Sequence, residues 1–157
     1  ELSRRVEAIP GATLFESGED LESLRQALLT ALLGTLAYML LHEAVHGVCI
    51  WAYVRRRPHF GFDGGYLWTG LKDAYFDKRS YLVIALSPVV VWGVVLLALG
   101  LALPAWFPAI CFVQAINLGG AAGDYYVAHA LRSLPDETLC NDTGVAMRFY
   151  VKEEYHP

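Results

Sequence analysis

At 157 residues the chain is one domain long, enough to bury a core of its own. Its hydrophobic share of 55%, charged share of 18% and mean hydropathy of +0.37 lie on the apolar side of soluble domains, whose charged share is nearer about 25%, and this points to a bilayer. A net charge of -4 with no basic stripe excludes a nucleic-acid surface, and three widely spaced cysteines (Cys49, Cys111, Cys140) exclude both a disulfide framework and a Cys-pair zinc site, so free thiols are expected.

In chain order, "ELSRRVEAIPG" lacks the apolar core and small-residue cleavage site of a signal peptide, and none is expected there. The stretch "SGEDLESLRQ" places Ser17 and Asp20 at capping-box spacing with acidic residues in the first turn, so a helix is predicted to begin near residue 18. It leads into the first apolar segment, residues 26–54. Residues 81–103 carry no charge and match the roughly 20 residues that a helix needs to cross the hydrocarbon core. The third segment, residues 107–131, contains "NLGGAAGDYYVAH", whose small residues allow close helix approach. Between the first two segments, "PHFGFDGGYLWTG" alternates aromatic and small residues around a Gly-Gly pair and predicts a β-hairpin. "RSLPDETLCNDTG" reads as loop, with Pro135 stopping the third helix, and "GVAMRFYVKEE" has strand-like alternation.

The expected fold is therefore a single, mainly α domain over residues 1–157: an integral membrane bundle of about three transmembrane helices with a small cytoplasmic β-element. The alternative, a soluble helical domain with very apolar helices, is disfavoured by uncharged runs above about 18 residues. Charge placement sets the expected orientation. The 55–80 connection carries Arg55, Arg56, Arg57, Lys72, Lys78 and Arg79, and the tail adds Arg132, Arg148 and Lys152. The opposite side has Arg4, Arg5 and Arg25. The positive-inside rule then puts the connection and the C-terminus in the cytoplasm and the N-terminus outside the cell membrane.

The first apolar segment holds His42-Glu43-Ala44-Val45-His46, the HExxH pattern. On a helix, residues four apart share a face, so both imidazoles can reach one metal ion. Glu43 lies about 100° around from His42, beside the ion, where a carboxylate can take a proton from metal-activated water. Zinc is the usual ion for such ligands and lowers the pKa of bound water to roughly 7. Ionisable groups inside a membrane segment are costly and are functional by default, whereas the plain structural alternative is a buried polar cluster bonded to a neighbouring helix.

A catalytic zinc site needs a third protein ligand and an open position. The metzincin continuation is absent, since Cys49 and Ala52 stand where its Gly and third His belong. Asp124 is the best candidate. It lies eight residues before Arg132, and His46 lies nine before Arg55; at about 1.5 Å per residue these offsets are about 12 and 13.5 Å, so the side chains reach matching depth. Asn117, two turns before Asp124 on nearly the same face, suits substrate orientation or oxyanion stabilisation, and equally an interhelical hydrogen bond. Cys49 shares the histidine face but is a weaker ligand candidate. Asp63, Asp73, Asp77, His59 and His156 read as solvated, and His129 falls on another face. Tyr66, Trp68, Tyr81 and Tyr126 read as interface anchors.

The pieces "LHEAVHG", "PHFGF", "AYFDKRSYLVIALSPVVV", "NLGGAAGD" and "DTGVAMRFYV" together resemble a zincin peptidase family grouped as a domain of unknown function, and more distantly the site-2 proteases. The distant resemblance implies an HExxH helix, a β-element, a span opening with an Ala-Gly-Pro-like segment, and a later span supplying Asn and Asp. Here "ALSPVVV" and "NLGGAAGD" occupy those places; Asn117 lacks the following Pro, and Tyr125 follows Asp124.

The resulting expectation is an intramembrane zinc metalloprotease, with His42, His46 and Asp124 as metal ligands and Glu43 and Asn117 as catalytic groups. Its partners would be the lipid bilayer and a membrane-anchored or extended peptide substrate, which the β-element could add as a strand. The alternative is a non-catalytic membrane metal-binding, sensor or scaffold protein that retains the site. Glu43 separates the two, because pure binding needs no carboxylate beside the metal.

Overall fold

A computed structural model describes residues 18–152, with side chains from residue 21 onward. Helix α1 runs Gly18–Val54, followed by strands β1 (His59–Asp63), β2 (Tyr66–Gly70) and β3 (Phe76–Asp77). Helix α2 spans Lys78–Ala102, a 3-10 turn covers Pro104–Trp106, and helices α3 (Phe107–Gly120) and α4 (Ala122–Arg132) follow. Strands β4 (Leu139–Asp142) and β5 (Met147–Tyr150) close the fold. The capping-box expectation at Ser17 and Asp20 lies outside the described side chains.

Three helical runs, Leu21–Val54, Lys78–Ala102 and Pro104–Arg132, are long and apolar enough to cross a membrane. Only 11%, 22% and 11% of their most apolar windows is buried within the protein. Their outward faces are accordingly apolar: Leu28, Leu33, Leu40, Val90, Val94 and Leu101 are all exposed. In water so continuous an apolar surface would be untenable for a monomer, and in a bilayer it faces its own solvent.

The starts and ends of these helices follow local chemistry. Asp77 caps α2: its carboxylate accepts from the backbone N–H groups of Arg79 (3.1 Å) and Ser80 (3.0 Å), and the Ser80 hydroxyl donates to it at 2.6 Å. Such a cap contributes about 1 kcal/mol. The Ser80 hydroxyl and backbone N–H hold the Asp77 carboxyl below the usual carboxylate range. The third apolar segment, expected as one helix, is broken at Ala121 into α3 and α4. Glycines 119, 120 and 123 flank the break and weaken the helix there.

The predicted hairpin forms. β1 and β2 pair antiparallel with Asp63 opposite Tyr66, and the two linking residues, Gly64 and Gly65, take φ of +55° and +99°. A two-residue turn with both central φ values positive matches the right-handed twist of its strands, and glycine adopts it without a steric penalty. Gly61 pairs with Trp68 across the hairpin, and a Cβ at Gly61 would collide with the indole. β2 lies against α1, where the Thr69 hydroxyl donates to the Glu43 carbonyl at 3.1 Å.

The second sheet has the order β3-β4-β5, all antiparallel. β4 falls inside the stretch expected as loop. Its four residues carry little periodic signal, and their place is set by pairing with Phe76 and Asp77, more than sixty positions earlier. Because β3 belongs to the first connection and β4 and β5 to the tail, both lie at one end of the bundle. Ile50, Phe76, Ile84, Leu131 and Cys140 form the core at that end. The cysteines are free, and burial pushes the Cys140 thiol up to about 11, leaving it unreactive.

Candidate metal centre

His42 and His46 stand one turn apart on α1, and Asp124 comes from the first turn of α4. The break at Ala121 matters here, because it puts the Asp124 carboxylate at a helix N-terminus, where the peptide dipoles favour negative charge. Asp124 Oδ2 lies 3.2 Å from His42 Nε2, and Oδ1 lies 3.3 Å from His46 Nε2. The ligand atoms of the three residues are all within 4.8 Å of one another.

Hydrogen bonding settles which imidazole nitrogens are free. Asn117, fully buried, donates its amide Nδ2 to the Val89 carbonyl at 3.2 Å, which turns its Oδ1 toward Tyr38. The Tyr38 hydroxyl donates its one proton to that Oδ1 at 2.8 Å. The 2.8 Å contact between Tyr38 Oη and His42 Nδ1 must then run from an Nδ1–H to the phenol oxygen. His46 Nδ1 is 3.0 Å from the Ile84 carbonyl, which can only accept. Both Nδ1 atoms therefore carry protons, and both Nε2 atoms face the Asp124 carboxylate, each offering a lone pair when its ring is neutral. With neutral rings, the form in which imidazole binds a metal, these three groups are all acceptors and repel one another unless a cation lies between them. Tetrahedral zinc with bonds of about 2.0 to 2.1 Å sets its ligands about 3.3 Å apart, so the donor set fits a zinc ion in chemistry and spacing.

The Ile84 carbonyl is available for a reason written in the sequence. Pro88, inside α2, has no N–H to return to the residue four positions back, so the Ile84 oxygen is left without its helical partner. His46 and the Ser87 hydroxyl, at 3.0 Å, take it instead.

Glu43 shares with the three metal-ligating candidates a cavity of 420 Å³ bounded by α1, β2, α2 and α4. Asn117 does not reach it: the side chain lies behind the ligands and joins α3 to Tyr38. Cys49 is bonded to Ser87 at 3.0 Å and stands outside the ligand group. Tyr66, Trp68 and Tyr81, expected as interface anchors, line the cavity, whereas Tyr126 is exposed. Asp142 also lines it, from a stretch expected as loop.

Tyr38 is a site residue that sequence reasoning misses, although its place four residues before His42 puts it on the ligand face. Replacing Tyr38 by Phe removes the acceptor that orients the His42 ring. Losses of this kind typically cost 10- to 100-fold in metal affinity. Zinc affinity of Tyr38→Phe, measured by chelator competition, is expected to fall within about that range; unchanged affinity would show that the ring is oriented without the phenol.

A family model described as "Putative zincin peptidase" matches residues 35–139, which take in all of these metal-ligating candidates and Glu43. Neither a curated protein nor a solved structure matches the chain.

Proposed function

The chain belongs to this zincin peptidase family, and from that premise we propose that it is an intramembrane zinc metalloprotease of the site-2-protease kind. One observation carries the reading: two imidazole Nε2 atoms and a carboxylate converge in a cavity that Glu43 also lines, within helices able to cross a bilayer. A zinc ion held by His42, His46 and Asp124 would act there as a Lewis acid on a peptide carbonyl and on water. Glu43 takes the proton from the attacking water and returns it to the leaving amine. Asn117 acts as a positioning residue, through Tyr38 and His42, in place of direct contact with substrate. Among the described residues β2 pairs only with β1, and Tyr66, Leu67, Trp68 and Thr69 of β2 line the cavity, so an extended peptide is well placed to add along β2 as a further strand. Hydrolysis of a membrane-anchored peptide by the purified, zinc-loaded protein in liposomes tests the reading, and a zinc-loaded protein inert toward all such peptides would overturn it.

We place the end that bears both sheets in the cytoplasm, on its excess of Lys and Arg over the opposite end. A cysteine introduced at Lys72, with Cys111 replaced, is expected to resist a membrane-impermeant thiol reagent until the cells are opened. Labelling on intact cells would reverse the orientation.

A further inference from the structure

The hydrolytic reading leaves one carboxyl group of the cavity without a task. Asp142, the last residue of β4, lies beyond the residues that the family model matches, yet it lines the same cavity as Glu43, His46 and Asp124. Its carboxylate is fixed from two sides. The Gly144 backbone N–H donates to Oδ1 at 2.7 Å, and the Tyr81 hydroxyl donates to Oδ2. Tyr81 itself stands three residues before Ile84, about 4.5 Å along the axis of α2, and so one turn from the carbonyl that holds His46.

Neither of these donors is charged. Among the described residues no Lys or Arg lines the cavity, and no ion pair includes Asp142. The two charges of a divalent ion held by His42, His46 and Asp124 would be balanced by Glu43 and Asp124. Asp142 stands outside that balance, and its burial pushes the carboxyl above the ordinary range. A cation brought to this end would meet an unpaired carboxylate in a cavity also lined by Tyr66, Trp68 and Tyr81. Aromatic rings attract ammonium and guanidinium groups, and a half-buried carboxylate such as Asp142 binds them more strongly than one in water.

We propose that the Asp142 end of the cavity is a subsite for a cationic side chain, Lys or Arg, of the peptide substrate, seated beside the bond to be cut. The proposal rests on the hydrolytic reading for the identity of its ligand, and on charge complementarity for its location.

The experiment uses the full chain, zinc-loaded in nanodiscs, with Glu43→Gln so that bound peptide is not consumed. The probes are fluorescein-labelled extended peptides in pairs that differ by one Lys or Gln, with the varied position moved along the series. At one position the Lys peptide is expected to bind at least about tenfold more tightly, and Asp142→Asn should erase the difference while zinc stays stoichiometric. Asp142→Glu, which restores the charge, should restore part of the preference, and it serves as the test if the Asn variant fails to fold. Absence of any Lys-preferring position, or a preference that survives Asp142→Asn, overturns the subsite. Turnover of the same peptides by the protein with Glu43 intact keeps the two readings apart. Cleavage without a Lys preference removes the subsite alone, whereas Lys-selective binding without cleavage removes the protease and leaves a cation-binding cavity.

Discussion

Replacing Glu43 by Gln is expected to stop peptide hydrolysis while zinc remains bound. The substitution keeps the size of the side chain and leaves His42, His46 and Asp124 untouched, but an amide cannot take a proton from water at neutral pH. General acid-base groups contribute typically 10²- to 10⁴-fold, so the rate should fall by at least about that factor. Zinc measured on the same preparations guards against a trivial loss of the site. Natural substrates can be sought by comparing membrane-peptide fragments from cells that carry the wild-type protein with those from cells that carry Glu43→Gln. Identical fragments with equal zinc content would sink the protease reading and favour the metal-binding, sensor or scaffold alternative.

Removing the third ligand should have the opposite signature, with metal lost first and activity with it. In Asp124→Ala the two imidazoles remain on α1, still oriented by Tyr38 and by the Ile84 carbonyl. What disappears is the one anionic member of the proposed ligand set, which lies within 3.3 Å of both Nε2 atoms. Loss of a mere orienting partner costs about 10- to 100-fold in metal affinity, so loss of a direct ligand should exceed about 100-fold. Chelator competition with metal analysis of the purified variant measures this. Stoichiometric zinc at unchanged affinity would mean that another group closes the site. Helical content, read by circular dichroism on the same sample, shows whether the helices persist when the ion is gone.

Much of this protein is legible locally. The three apolar runs announce themselves by length and lack of charge, and the Gly-Gly pair announces its hairpin, because only glycine takes both positive φ values without strain. The HExxH spacing puts two imidazoles on one face by helix geometry alone. Even the depth match between His46 and Asp124 can be reckoned from the distance of each to the basic end of its helix. The break at Ala121 is less legible. Its glycines suit close helix packing as well as they weaken a helix, and the sequence does not say which effect prevails. β4 escapes because a four-residue strand has almost no periodicity of its own, and its partner strand is remote in the chain.

By itself, then, the sequence determined the three apolar runs, the Gly-Gly hairpin and the two histidines with their neighbouring glutamate, since each of these depends on spacings of a few residues. Only the tertiary structure decided what those groups touch. Asn117, plausible from its helix face as a substrate contact, is bonded instead to the Val89 carbonyl and the Tyr38 hydroxyl. Tyr81 and Trp68, plausible as headgroup anchors, line the cavity, and Asp142 joins them only because β4 pairs with β3. Pro88 shows both levels at once. Its missing N–H can be read from the sequence, but that the freed Ile84 carbonyl holds His46 follows from the packing of α2 against α1, a contact across 38 residues that no local pattern encodes.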